Sequence, residues 1–309
     1  MIAGVDPIVY DSPVMPEFSF IDRFREPRPV VGVLRFDGVI GRLGPLRRGL
    51  TLAGTVDAIE RAFKLRRLKA VALAVNSPGG SPVQSALMAK RIRDLAEEKD
   101  VPVYAFAEDV AASGGYWLAL AADEIYAAES SIIGSIGVVS GGFGFTGLIK
   151  RLGVERRLHT AGEKKAMLDP FQPQKPSDIK HLKGLQKDIH ESFGAMVRER
   201  RGKRLKGKQK ELFSGTFWTG TRALEMGLID GIGDLSAVMR DKFGDKVKLK
   251  RVDGKTPFWR RRFGFSAAFG GSPGIAPGIA PGIAAAPEDW AASAIAAIEE
   301  RLIWNRFGL

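Results

Sequence analysis

The chain has 309 residues, 45% of them apolar, and no cysteine, which excludes disulfides, thiolate metal sites and a cysteine nucleophile. A formal charge of +12 favours anionic partners such as nucleic acid, acidic substrates or an anionic membrane face. The opening MIAGVDPIVYDSPVMPEF is broken by Asp6, Pro7, Asp11, Pro13 and Pro16 and reads as no signal peptide. No stretch reaches the roughly 18 uninterrupted apolar residues of a spanning helix, so the expected location is cytoplasmic, soluble or peripheral to a membrane.

A proline-rich arm occupies 1–29. VVGVLRFDGVI, Val30 to Ile40, is rich in β-formers and runs into Asp37-Gly38, a strand entering a turn. From Thr51 to Leu68, Val56, Ile59, Phe63 and then Leu65 or Leu68 form one helical stripe. AVALAV (Ala70–Val75) is a continuous apolar run of strand length, as expected of a strand buried on both faces, and NSPGGSP ends it. A helix over about Val83 to Lys99, the strand VPVYAFA, the segment around Ser113, the strand EIYAA and IIGSIGVVS follow. This alternation predicts an α/β fold with mainly parallel strands and ligands at their carboxyl ends, where two glycine loops, Asn76–Ser81 and Ala111–Gly115, can face one crevice.

Lys175 to Val197 reads as helix and leads into a dense basic run, Arg198 to Lys210. In TGTRALEMGLIDGIGDL, Thr221 is placed to cap a short helix that Gly227 ends. The α/β domain is therefore expected over 30–245. A basic and aromatic segment with three Pro-Gly-Ile-Ala repeats covers 246–286, and an amphipathic helix 287–309, with Trp290, Ala294, Ile298 and Leu302 on one face. That helix can dock on its own domain, on a second subunit or on a membrane. Phe258-Trp259-Arg260-Arg261-Arg262-Phe263 has the make-up of an interfacial anchor as well as of a solvated basic segment, so membrane contact through 257–263 or 287–309 is an expectation.

The Ala-Ser-Gly-Gly stretch at Ser113 admits two readings, a tight turn or a nucleophile at a helix start. A helix N-terminus leaves free N–H groups, its dipole favours an anion, and glycine admits a close substrate. Those are the requirements of an oxyanion hole, for which Gly114 and the Gly79-Gly80 loop are the candidate donors. A serine needs a base. His181 and His190 lie in a very polar helical stretch and look solvated; His159 is the one plausible histidine, with a surface strand end as its plainer reading. A lysine base must be neutral near pH 7, which requires desolvation or nearby cations. Lys164 and Lys165 lie beside an apolar stretch, and position alone leaves the choice open.

NSPGG, AASGGYWLALAADEIYA, IIGSIGV, GEKKAMLDPF and TGTRALEMGLIDGIG follow one another as in the signal peptide peptidase A, or protease IV, family of serine peptidases. The resemblance covers about Val30 to Leu235. It implies a fold similar to the Clp protease and crotonase enzymes, and a Ser/Lys dyad that hydrolyses peptide bonds, in signal peptides or other short apolar, membrane-derived peptides. It places the nucleophile on Ser113, the base on Lys165 and a lysine-orienting serine on Ser135, with Gly114 and Gly79 or Gly80 as oxyanion contacts. It also implies a homo-oligomeric ring or dome and no metal or cofactor. The chain departs from the pattern in lacking an N-terminal membrane segment, in its linker and terminal helix, and in the density of its basic run. Two other classes remain to be weighed. A nucleic-acid binder would use Arg198–Lys210 and Arg260–Arg262 but lacks a recognised motif. A crotonase-like acyl-thioester enzyme would need carboxylates beside the glycine loops, where Glu108, Asp109 and Asp123 have simpler surface or turn readings.

Overall fold

The computed structural model describes residues 28–42, 49–253, 297–298 and 300–308. β1 (Val30–Asp37) leads by way of Ile40 to α1 (Leu52–Phe63), where the Thr51 side chain accepts the Gly54 N–H as an N-cap. The helix ends at Phe63, short of the stripe read from the sequence. Arg67 takes a positive φ of 62° there, and Leu68 opens the next strand instead of closing the helix. β2 (Leu68–Ser77) is followed by α2 (Pro82–Lys99), with Ser81 as cap and Pro82 in the first turn. β3 (Val103–Ala112) continues past the VPVYAFA stretch and delivers the chain to α3 (Gly114–Ala119). After β4 (Glu124–Ala127) and β5 (Ile132–Gly134) come α4 (Thr146–Arg151), α5 (Pro176–Arg201), α6 (Gln209–Leu212) and β6 (Phe217–Thr219). The series closes with α7 (Gly220–Glu225), β7 (Gly231–Ile232), α8 (Leu235–Phe243) and β8 (Lys248–Arg251). Thr219, not Thr221, caps α7, because the turn begins at Gly220, where a Cβ would collide with the Ala128 carbonyl.

The eight strands among the described residues form one mixed sheet in the order β6-β5-β3-β2-β1-β8, with β4 between β3 and β7. Every pairing is parallel except β5 with β6, as the strand–helix alternation predicts. β2 is buried on both faces: Val71, Leu73 and Val75 enter the core under α1, α2 and α3, while Ala70, Ala72 and Ala74 enter a second core with Leu235 and Met239 of α8. β3 divides its pairing. Its register on β2 slips between Val75–Ala107 and Ser77–Ala111, and the irregularity lets Tyr104–Ala107 pair with β4 and Val110–Ala112 with β5.

The basic run proves in part to be internal. Arg200 donates to the carbonyls of Leu120 and Ala122, while buried Arg201 donates to the Gly227 carbonyl and binds both oxygens of Asp230 at 2.6 and 3.0 Å. Arg204 also reaches Asp230, at 3.1 Å. Burial acts to raise the Asp230 carboxyl, but the Arg201 hydrogen bonds, with the Ile125 N–H and the charges of Arg201 and Arg204, outweigh it and hold it below its ordinary value. This part of the run therefore fastens α5 to the strand ends. The arm through residue 27, the 257–263 segment, the Pro-Gly-Ile-Ala repeats and Trp290 and Ala294 of the terminal helix lie outside the described residues.

Candidate active site

Ser113 sits at the N-cap of α3 with φ 52° and ψ −121°, and its side chain does not cap the helix. A non-glycine residue in such a conformation costs of order 1–3 kcal/mol and persists only where its surroundings over-determine it. They do so here. The Ser113 N–H donates to the Gly134 carbonyl at 2.8 Å and its carbonyl accepts the Trp117 N–H at 2.9 Å. One turn on, the Tyr116 hydroxyl donates to the Leu228 carbonyl at 2.7 Å, and burial pushes that phenol above its ordinary value. Trp117 stacks on Phe193 of α5 with ring centroids 4.6 Å apart. The strand-to-helix turn thus holds the serine in the posture of a nucleophile elbow.

The two glycine loops do meet. A Cβ on Gly79 would lie 2.7 Å from the Gly114 nitrogen and 2.8 Å from the Ser113 Cβ, and one on Gly114 would lie 3.3 Å from the Gly80 nitrogen. Gly79 and Gly80 have φ of 104° and 139°, backbone that side chains resist. Hydrogen-bond accounting separates them: the Gly79 N–H donates to the Ser77 hydroxyl at 3.2 Å, whereas the N–H groups of Gly80 and Gly114 find no acceptor among the described residues. Two serines support this arrangement that reading the sequence did not single out. Ser77 is fully buried, and Ser85, also buried, donates to the Ser81 carbonyl and packs its oxygen against Gly114. The position of Ser77 inside NSPGG was a signal for the first; Ser85 had none beyond its place one turn into α2.

Ser135 is adjacent to this centre. The peptide joining Gly134 to Ser135 receives the Ser113 N–H on its carbonyl and donates its own N–H to Thr216 at 2.8 Å, and Ser135, 2% exposed, also has a positive φ of 52°. Lys164 and Lys165 lie apart from it in hydrogen bonding. Both are exposed in a turn where the Lys165 N–H donates to the Gly162 carbonyl at 3.1 Å. Neither the Lys165 ammonium nor the Ser113 hydroxyl makes a hydrogen bond among the described residues. His159 is exposed and lies off any strand, while His190, read from the sequence as solvated, is half-buried on α5 with Nε2 3.3 Å from the Ile136 carbonyl.

The arm from β5 to α5 that carries these lysines has its own small core. Asp169, 4% exposed at its side chain, accepts from Arg156 at 2.6 Å and from the Phe171 N–H at 3.0 Å. Phe145 packs on Phe171 at 5.4 Å, the Arg156 guanidinium lies over the same ring, and the Phe145 N–H donates to the Pro170 carbonyl. Outside this clasp the arm is open to water: Val139 is 76% exposed, Phe143 67% and Leu152 67%, and α4 buries no residue.

Known proteins resemble the chain over these same features. A Brucella abortus protein named Na(+)/H(+) antiporter NhaA is 49% identical over 289 residues, which are 93% of this chain and 38% of that protein. The serine protease SPPA, chloroplastic, of Arabidopsis thaliana is 32% identical over 214 residues, 68% of this chain and 31% of the relative. Protease 4 of Haemophilus influenzae is 31% identical over 185 residues, 58% of this chain and 28% of the relative. The chain thus spans well under half the length of each, and the transport activity in the first name belongs to a protein most of which lies outside the match. The family model for peptidase family S49 matches residues 95–249, half of the chain, including the Ser113 turn, Ser135 and the arm with Lys165. With the glycine-loop crevice and the parallel sheet beneath it, that match makes this chain a member of peptidase family S49.

Proposed function

We propose that this chain is a serine endopeptidase with a Ser113/Lys165 dyad acting on signal peptides or other short apolar peptides. The observation that carries the reading is the pair of N–H groups, on Gly80 and Gly114, that find no acceptor among the described residues, beside a serine held at positive φ. Family membership and the serine protease and Protease 4 relatives support it. In the proposed cycle the neutral Lys165 amine takes the proton from the Ser113 hydroxyl as its oxygen bonds to the peptide carbonyl carbon. The oxyanion that forms accepts from Gly80 and Gly114, and the lysine returns the proton to the leaving amine before water repeats the sequence. Ser135 orients the amine.

The exposure of Lys165 bears on the assembly. The same arm carries the base and a set of exposed apolar residues, and the described chain does not bond Lys165 to its own Ser113. A second copy of the chain supplies both an apolar surface to cover the arm and a second Ser113. Homo-oligomerisation through the arm is therefore part of the proposal.

The test is hydrolysis of an apolar peptide by four chains. Ser113→Ala and Lys165→Ala are expected to lower kcat by about a thousandfold or more, with Lys164→Ala near native. Full activity in Lys165→Ala would sink the dyad. Mixing the Ser113→Ala and Lys165→Ala chains is expected to restore part of the activity, because each lends the other its intact half; a mixture as inactive as its components places the dyad within one copy.

A further inference from the structure

The last described residues, helical over 300–305, pack on neither of the two main cores. Phe307, 9% exposed, joins Val110 and Ala112 of β3 in a separate apolar cluster, with Ile132 and Trp304 against it. Its ring meets Phe217 of β6 nearly edge-on, with centroids 5.1 Å apart. Two of the residues it meets, Ala112 and Phe217, lead to Ser113 through the sheet. Ala112 precedes the serine in the chain and pairs with Gly134, Gly134 takes the Ser113 N–H on its carbonyl, and Phe217 is the partner of Gly134 on the other side. Side chains alternate across a sheet, so Ala111 and Ile133, buried in the main core, occupy the face toward α3, and Phe307 lies on the reverse face.

We propose that Phe307 is a positioning residue for Ser113: its ring clamps the ends of β3, β5 and β6 from behind and keeps the serine in its left-handed turn. The clamp acts on the turn and touches no substrate. Strained backbone of this kind relaxes when the packing that over-determines it is removed, and β5 and β6 are short, three residues each, so that a contact on their reverse face bears directly on the turn. This inference rests on the reading of Ser113 as the nucleophile.

The experiment measures, in the full chain, the rate at which a fluorophosphonate probe acylates Ser113 per folded molecule, together with kcat and KM on an apolar peptide. Phe307→Ala is expected to lower the acylation rate and kcat together by about tenfold or more while KM stays within about twofold, as for a misplaced reacting group. Leu302→Ala, on the helix that precedes Phe307 and at a residue 52% exposed, is expected to behave as native. Native acylation by Phe307→Ala overturns the positioning role. Should that variant not fold, Phe307→Leu is read in the same assay, with a two- to fivefold loss of order expected from the narrower cover and a native rate overturning the proposal. A Ser113→Ala chain that still takes up the probe overturns the nucleophile assignment itself, a result separate from either outcome at Phe307.

Discussion

A side chain at Gly80 would collide with the carbonyl of Ile40, whose N–H in turn donates to Gly79, so this glycine is fixed by backbone on two sides. Gly80→Ala must therefore shift the loop and with it the N–H that faces Gly114. The expected outcome is a fall in kcat of about a hundredfold, the usual loss for one oxyanion donor, with a smaller change in KM; steady-state kinetics on the apolar peptide check it. Which of the two glycines offers its N–H was not legible in NSPGG. The sequence displays two equivalent glycines, and the distinction comes from Ser77, whose buried hydroxyl takes the Gly79 N–H in the folded chain. Ser113 itself was legible only as a serine in a glycine-rich turn until the other motifs were set beside it; its positive φ is a product of the sheet below and has no local signature.

At the scale of elements, helices and strands with strong periodicity were read where they lie, and the errors fall at ends settled by tertiary contacts, as at Phe63 and Thr219. The basic run was read only as a dense cluster of charge because its partners, Asp123 and Asp230, are separated from it in sequence. Beyond GEKKAMLDPF the arm between β5 and α5 showed no periodic pattern, since its small core joins residues 145, 156, 169 and 171 through an ion pair and ring contacts and not through a periodic face. That core predicts the behaviour of Asp169. Asp169→Ala leaves the partly solvated Arg156 without its carboxylate and the Phe171 N–H without this acceptor, a loss of about 1–3 kcal/mol at the arm. Limited proteolysis is expected to cut the variant between residues 139 and 174 while the sheet survives; equal resistance of variant and native chain would show that the clasp does not hold the arm.

Across the whole molecule, the parallel α/β sheet was legible because its strands alternate with helices, but the division of β3 between two neighbours was not, being a matter of register. Asp230 ties several of these parts together, accepting from Arg201 and Arg204 and from the Ile125 N–H of β4. Its carboxyl is held below the ordinary aspartate value in the folded chain, so the unfolded chain binds more protons there as the solution is acidified. The resulting stability is complete above the unfolded value, about 3.9, and is lost as pH falls through the folded one. Thermal midpoints are expected to drop for the native chain below about pH 4, while Asp230→Asn starts lower at neutral pH and loses less on acidification. Equal acid sensitivity in the two would show that Asp230 is not a principal source of it. The contacts that fix α3 come from far along the chain: the Tyr116 hydroxyl reaches a carbonyl 112 residues later, and Trp117 stacks on Phe193. Ser113 consequently leaves the ribosome well before the residues that secure its helix have been added. The turn that holds Ser113 is therefore secured only once residue 228 has been synthesised and has folded back, the slow closure expected of contacts so distant in sequence.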